Sequence, residues 1–209
     1  SSLSVNIFEK WGHFKIKSKF NHKQILEIGC GTLNHLPFED LKKKKYDVVE
    51  PDDNFYLNSK LSDRKKINNR YLDINKIKNK KYDTIISCYV LEHLIELPSI
   101  LAKTGLLLKK RGVSKHAIPC EGCLAWTIGR FIHSDIKFYI QTGYSNSVFM
   151  RYEHVNNFDE ILKIAKIFFN DVKIEYSYPF FLSKHSSFYA CLTLKNPILK
   201  KCRNYLKNI

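Results

Sequence analysis

Apolar residues recur along the chain in short runs, and between these runs they follow a helical spacing. The short runs predict buried strands because each is bounded by polar or turn residues; they lie at residues 25–30, 47–50, 69–72, 84–88 and 113–118. The intervening segments predict helices, and they lie at 37–45, 55–63 and 92–108. Such alternation indicates right-handed crossovers and a parallel sheet that is covered by helices on both faces.

The pattern changes after the fifth predicted strand. Residues 119–152 are irregular and rich in aromatic side chains, which predicts an insertion or lid over the sheet. Helical periodicity resumes at 158–169, and the apolar segments 172–178 and 187–194 predict a closing antiparallel pair. Near the other end, residues 5–20 are loosely amphipathic, so we expect a helical segment that packs beside the first strand.

Length and composition are those of one globular domain. The chain has 209 residues, of which 44% are hydrophobic and 26% are charged, so we expect one sizeable core within a single domain, 1–209. No apolar run reaches the roughly 18 residues of a membrane-spanning helix. Residues 1–10 lack the apolar region of a signal peptide. These features predict a cytoplasmic protein.

The chain is strongly basic. Its net charge is +15, with 29 lysines and six arginines against 20 acidic residues. This balance is compatible with an anionic partner such as nucleic acid, a phosphorylated glycan or a membrane surface. Arginine, the better bidentate ligand for phosphate, is scarce, and richness in Lys, Asn, Ile and Tyr is typical of an AT-rich genome. A solvated lysine surface is therefore the main interpretation, and nucleic-acid binding is the alternative.

The six cysteines do not form the pattern of a secreted disulfide framework. Cys30 and Cys88 fall inside strand-end motifs, where free buried thiols are common. Cys120 and Cys123 form one CxxC, but no second Cys pair or His pair stands at zinc spacing. We expect reduced thiols and no metal site.

The strongest chemical signal is the segment EIGCGT at 27–32, a predicted strand that ends in a Gly-x-Gly turn. Glycines allow a positive φ and close approach to a ligand, and ligands bind at the carboxyl ends of parallel strands. The dinucleotide fingerprint would need glycine where Asn34 stands, which disfavours pyrophosphate binding. Glu50 ends the second strand, where a carboxylate accepts from ribose hydroxyls, and Asp73 ends the third, near an adenine amino group. Together these strand ends indicate an adenosine site.

Five segments in order resemble the class I S-adenosylmethionine-dependent methyltransferases, particularly their small-molecule branch with Leu-Glu-His after the fourth strand. The segments, which span 24–119, are ILEIGCGT, VVEP, YLDI, YDTIISCYVLEHL and LLKKRGVSKHAIP. The resemblance implies an α/β, Rossmann-like, seven-stranded and mostly parallel sheet with an antiparallel last strand, and it implies S-adenosylmethionine as cofactor. The domain would then comprise an N-terminal helical segment, the cofactor-binding core, the substrate-side insertion and the closing helix and strands, at 1–22, 23–118, 119–156 and 157–195.

The resemblance also implies roles for single residues. The turn Gly29-Cys30-Gly31 would pass under the cofactor, Glu27 would help to hold its amino group, and Glu50, followed by Pro51, would bind the ribose. The remaining cofactor residues would be Asp73 and Ile74 at the adenine, Cys88 and Tyr89 near the methionine moiety, and His93. The Leu-Glu-His segment would start the following helix, and there His93 has a capping or packing role as an alternative to a substrate role. Leu33 departs from the family, which usually has a third glycine at this position.

The acceptor is less defined than the cofactor. A hydroxyl acceptor needs a general base, and His154 and Glu121 are the candidates because they follow the cofactor motifs, where substrates dock; His116 and His133 are alternatives. The aromatic segment favours O-methylation of a sugar, polysaccharide or other small polar molecule. The alternatives are an RNA methyltransferase, indicated by the charge, and a non-catalytic cofactor-binding scaffold, indicated by Leu33.

Overall fold

A computed structural model describes residues 3–177 and 182–209, and within them all side chains except those of 3–9, 133, 134, 147 and 148. Seven strands form one sheet: β1 (Gln24–Ile28), β2 (Lys45–Val49), β3 (Asn69–Tyr71), β4 (Tyr82–Cys88), β5 (Leu108–Pro119), β6 (Phe169–Tyr176) and β7 (Tyr189–Pro197). The helices are α1 (Leu3–Ile16), α2 (Asp53–Leu57), α3 (Leu61–Arg64), α4 (Leu97–Leu107), α5 (Leu124–Arg130), α6 (Ile136–Thr142), α7 (Asn146–Glu153), α8 (Phe158–Phe168) and α9 (Leu199–Lys207).

The strand order is β3-β2-β1-β4-β5-β7-β6. The first five strands pair in parallel, whereas β7 runs antiparallel to both β5 and β6. This topology confirms the predicted Rossmann-like fold and its antiparallel end. Because β1, β2, β4 and β5 are parallel, their carboxyl ends meet at one edge of the sheet, where ligands bind in such folds.

The sheet has an apolar core on each face, since successive side chains of a strand point to opposite sides. Leu26 and Ile28 of β1 belong to the core that is shared with α4, α8 and α9. Ile25 of β1 belongs to the other core, which includes Ile16 of α1. Helices therefore cover both faces, as the alternation of elements predicts.

Two helix predictions between β1 and β3 need correction. Between β1 and β2 the structure has only a 3-10 turn, Leu36–Phe38, where a helix over 37–45 was expected. The following lysine run turns back through Lys43, whose φ is +57°, so that Lys45 can pair with Gln24 at the start of β2. The expected helix 55–63 is interrupted after Leu57 and forms α2 and α3.

The prediction that the Leu-Glu-His segment starts the next helix is also wrong. Leu91–His93 forms a separate 3-10 turn, and α4 begins later, at Leu97. Pro98 lies at the start of α4, where its missing N–H costs no intrahelical hydrogen bond and its fixed φ suits the helix. Leu91, Glu92 and His93 therefore lie at the carboxyl edge of the sheet, before α4 begins.

The segment after β5 is helical and not irregular. A π-helical turn at Phe131–Asp135 joins α5 to α6, and the run ends at Gly143 with φ +75°. α9, which packs against α4, had no sequence prediction. α8 begins with a capping box that Asn157 and Glu160 form. Within the described residues, no helix is long and apolar enough to cross a membrane.

Candidate active site

The turn after β1 is shaped by its two glycines. Gly29 has φ +66° and Gly31 has φ +50°. A Cβ at Gly29 would lie 2.6 Å from Cγ1 of Val90, which shows how closely the turn meets the segment after β4. A Cβ at Gly31 would have no described atom within 4 Å, so the turn faces open space there. The glycine turn is therefore a cradle whose open side lies above Gly31.

Glu50 borders this cradle from the end of β2. Its Oε2 atom accepts a hydrogen bond from the Gly31 N–H at 2.7 Å, and its Oε1 atom accepts from the Asp52 N–H at 3.0 Å. The side chain of Arg70 donates to the Glu50 carbonyl at 2.9 and 3.1 Å. The carboxylate is therefore fixed at the edge of the sheet, and it has further lone pairs for ligand hydroxyls.

Glu27 lies deeper than Glu50, within β1. It is buried and accepts a hydrogen bond from the Tyr46 hydroxyl at 2.9 Å. Burial raises the pKa of Glu27 to about 7, because the charged form loses its hydration. The side chain of Cys30 is buried as well, and burial raises the pKa of its thiol.

Cys88 and Tyr89 bring the end of β4 to the same edge. The Tyr89 N–H donates to the Ala117 carbonyl at 2.9 Å, and Tyr89 has a φ of +56°. Its ring lies 4.9 Å from that of Tyr189 and packs against Gly12 of α1. The Cys88 thiol is 3.9 Å from Nε2 of His13. The backbone turn at these residues is thus covered by α1.

A cluster of ionisable groups lies at the ends of β4 and β5. His154 Nδ1 and Glu121 Oε2 form a hydrogen bond, and since the carboxylate accepts, Nδ1 carries the hydrogen and Nε2 is the basic nitrogen. Their side chains are 12% and 18% exposed, so a ligand can reach both. Burial alone would lower the pKa of His154, but the hydrogen bond and charge of Glu121, with the charges of Glu92 and Glu153, outweigh it and raise that pKa.

The described residues fit an adenosine-containing cofactor. The open cradle above Gly31 and the fixed carboxylate of Glu50 lie at the carboxyl ends of neighbouring strands, as such a ligand requires. Among the described side chains, no group of three or more His, Cys, Asp and Glu residues is arranged to hold a metal ion.

The family comparison agrees with this geometry. Residues 26–114, which contain the end of β1, all of β2 to β4 and the first part of β5, match the model of a methyltransferase domain. The part of the chain that carries the glycine cradle and Glu50 is therefore similar to methyltransferase domains. No curated protein sequence matches the chain.

Solved structures of methyltransferases share the fold of this chain. An S-adenosylmethionine-dependent methyltransferase from Thermotoga maritima, described as a possible histamine N-methyltransferase, is 17% identical with a TM-score of 0.61, and the match covers 92% of this chain and 89% of that chain. The N-methyltransferase NodS from Bradyrhizobium japonicum WM9 is 15% identical with a TM-score of 0.57, over 93% and 99%. The plantazolicin methyltransferase BpumL, solved with S-adenosylhomocysteine, is 14% identical with a TM-score of 0.56, over 90% and 82%.

Leu33 fits the glycine cradle without a third glycine. Its φ is +64°, so leucine itself adopts the left-handed conformation that glycine adopts more easily. Its side chain is 1% exposed and belongs to the core beneath the turn. Burial of this side chain offsets the backbone strain, and Leu33 therefore gives no reason to expect a lost cofactor site.

The predicted adenine residues lie after β3. The Asp73 side chain accepts from the Asn75 N–H at 2.8 Å and caps a 3-10 turn, Ile74–Lys76. Ile74 is buried in the core, and Pro51 is exposed beside Glu50. The contacts of Asp73, Ile74 and Pro51 with the cofactor stay predictions.

The other predicted histidines differ from His154. His93 Nδ1 donates to the Glu153 carbonyl at 2.8 Å, and its ring meets the His154 ring edge-on at 4.6 Å, which favours the packing alternative. His116 is fully buried, hydrogen-bonded at 2.7 Å to the hydroxyls of Ser87 and Ser114, and burial lowers its pKa to about 3. His116 is therefore unsuitable as a general base. The side chain of His133 lies outside the described residues.

Sequence reasoning missed two residues of the cluster. Glu92 was quoted only as part of Leu-Glu-His, yet its carboxyl is buried beside His154 and Glu121. Asn156 is the second residue, and its side chain donates to the carbonyls of Leu91 and Leu94 at 3.0 and 2.7 Å. The sequence contains one signal for Glu92: it is a charged residue in a motif that comes shortly after the buried strand β4.

Proposed function

We propose that this chain is an S-adenosylmethionine-dependent methyltransferase that methylates a hydroxyl group of a small polar acceptor, such as a sugar or polysaccharide, with His154 as the general base. The observation that carries the proposal is the hydrogen bond from His154 Nδ1 to the Glu121 carboxylate. It leaves Nε2 without the proton and orients it, which is the arrangement that a base for hydroxyl deprotonation needs. Glu121 also stabilises the imidazolium that forms.

The reaction requires the chain to align the two reactants and to accept one proton. S-adenosylmethionine, when bound, supplies an electrophilic methyl group on its sulfonium. Nε2 of His154 would accept the acceptor O–H proton as the acceptor oxygen takes up that methyl group, and Glu121 would hold the ring in place. The cradle at Gly29 and Gly31, with Glu50, holds the cofactor, so alignment of the two reactants supplies most of the acceleration.

The charges near the site favour a small acceptor over RNA. Glu50, Glu92 and Glu121 place carboxyl groups at the cofactor and base sites, and negative charges repel a phosphate backbone. The ring of Trp126 lies 6.4 Å from that of His154, and the Arg130 guanidinium lies 5.3 Å from the Trp126 ring. An aromatic ring near the base is a surface against which a sugar ring can stack.

The test is methyl transfer from S-adenosylmethionine with a labelled methyl group to a panel of methyl glycosides, oligosaccharides, phenols, amines and short RNAs. Transfer to a hydroxyl acceptor is expected. His154→Asn and Glu121→Gln should lower its rate by about 100-fold or more while cofactor affinity is kept. His185→Asn, at an exposed histidine outside the cluster, is the matched control. Transfer only to amines or RNA, or unchanged rates in both variants, would contradict the proposal.

A further inference from the structure

The 3-10 turn Leu91–His93 and the segment that carries His154 are joined by a network of hydrogen bonds. The Glu92 carbonyl accepts from the backbone N–H groups of Val155 and Asn156 at 2.9 and 3.0 Å. The Asn156 side chain donates to the turn, and the His93 ring donates to the Glu153 carbonyl. Since these bonds lie on both sides of His154, the turn determines where its ring lies.

The side chain of Glu92 is unusual within this network. It is 2% exposed, and its Oε2 atom has no hydrogen-bond partner among the described residues. Buried polar atoms nearly always have partners, because an unpaired one loses its hydration without compensation. A buried carboxyl oxygen without a partner destabilises the fold. We therefore looked for a role of the Glu92 side chain in the neighbouring cluster of His154 and Glu121.

The charges around Glu92 belong to the same cluster. The pKa of Glu92 is raised to about 7, chiefly by burial and also by the charge of Glu121, whereas a backbone hydrogen bond and the charge of His154 act to lower it. Around His154, the acidic groups are Glu121, Glu92 and Glu153, and the neighbouring rings are those of His93 and Trp126. The ionisation of Glu92 and that of His154 are therefore coupled.

We propose that Glu92 is a positioning residue for the methyl-transfer base: its turn places the His154 ring, and its carboxyl acts with Glu121 to set how strongly His154 holds the acceptor proton. This inference rests on the proposed role of His154 in deprotonating a hydroxyl. Ionised Glu92 stabilises the imidazolium that is formed when the acceptor O–H bond breaks. Glu121 does so through a hydrogen bond, and Glu92 does so through its charge in a weakly hydrated site.

The coupling has a defined sign. Without the negative charge of Glu92, the cationic form of His154 is less stable, and its pKa is lower. The base form then persists to lower pH, but it is a weaker base. Glu92→Gln should therefore move the acidic limb of the rate profile to lower pH and reduce the plateau rate.

The experiment is an NMR titration of the histidine imidazoles in the full chain without cofactor or acceptor, with His154→Asn for assignment. In Glu92→Gln, the titration midpoint of His154 should fall by roughly half a pH unit or more relative to the wild type. Glu153→Gln, which removes an exposed carboxyl on the same segment, should have a smaller effect because solvent screens its charge. An unchanged midpoint in folded Glu92→Gln would overturn the proposal, since a purely structural residue would leave it unmoved.

A second measurement covers the case in which Glu92→Gln fails to fold. The side-chain carboxyl carbons of the ¹³C-glutamate-labelled wild type are then titrated. Two of them, those of Glu27 and Glu92, should shift near neutral pH, and one of these two should shift again as His154 titrates. If no carboxyl carbon with a near-neutral midpoint also followed the titration of His154, the proposal would be overturned. Neither measurement requires methyl transfer, so an absence of hydroxyl methylation refutes the proposed function and leaves the coupling to be judged by the titrations.

Discussion

The Oε2 atom of Glu50 accepts a hydrogen bond from the backbone N–H of Gly31 at 2.7 Å, which joins the end of β2 to the glycine turn after β1. Both residues belong to the predicted cofactor site, and 18 residues separate them along the chain. The bond fixes the carboxylate beside the open side of the cradle. It follows that Glu50 both shapes the turn and remains available to ligand hydroxyls.

Replacing Glu50 by alanine should weaken cofactor binding. The variant loses a charged acceptor for ribose hydroxyls and the restraint on Gly31, and we expect affinity for S-adenosylhomocysteine to fall by about tenfold or more. Calorimetric titration measures the change. Asp63→Ala is the control. It removes a carboxylate of α3 that pairs with Lys66, and this variant should bind the cofactor like the wild type. Equal affinity of Glu50→Ala and wild type would exclude a role for Glu50 in the cofactor site.

The rate of methyl transfer should depend on the ionisation of His154. Its pKa is raised above the ordinary 6.5, mainly by Glu121 against the opposing effect of burial. Only the neutral ring can accept the acceptor proton, so kcat/KM should rise with pH through a midpoint above 6.5. In Glu121→Gln the midpoint should move to lower pH. A rate that is independent of pH through this range would show that no such base limits the reaction.

Leu33→Gly should destabilise the protein without improving the cofactor site. Relief of the positive φ gains roughly 1 kcal/mol, but loss of the buried leucine costs about 3 kcal/mol or more. Urea unfolding should show the net loss, and calorimetry should show similar cofactor affinity. Lys43→Gly, at an exposed side chain with φ +57°, is the matched control and should be slightly stabilising. Tighter cofactor binding by Leu33→Gly would mean that leucine impairs the cradle.

Glu92→Gln should be more stable than the wild type at high pH. Burial raises the pKa of Glu92 in the folded protein from 4.5 to about 7, so the folded state retains a proton that the unfolded chain releases between these values. Stability is therefore lost as pH rises through this window, and glutamine removes the loss. We expect a gain of about 1 to 3 kcal/mol at about pH 8 and little gain at about pH 4.

Urea unfolding at both pH values measures this difference. Glu153→Gln is the control, because the Glu153 side chain is exposed and solvent screens its charge, so its effect should be smaller than that of Glu92→Gln. If Glu92→Gln showed the same stability difference from wild type at both pH values, the carboxyl of Glu92 would ionise alike in the folded and unfolded chains.

The sequence alone determined the sheet and its cofactor edge. Strands such as β1 and β4 are short apolar runs with local turn signals, and pairing of such runs in a parallel sheet follows from burial and right-handed crossovers. Gly29, Gly31 and Glu50 could be identified because they lie in the turns that follow β1 and β2. The connection between β1 and β2 was less predictable, because its helix propensity is weak. The predicted helix 37–45 does not form: the chain makes only the 3-10 turn Leu36–Phe38, and Lys45 already pairs with Gln24 in the sheet.

Only the tertiary structure decided how the base cluster is assembled. Glu92, Glu121 and His154 lie far apart in the chain, and no local pattern relates them. They meet because the N–H groups of Val155 and Asn156 bond to the Glu92 carbonyl, and because the turn after β5 places Glu121 beside His154. The ionisation of these groups then depends on their burial and mutual charge, which are properties of the packed site and of no single residue.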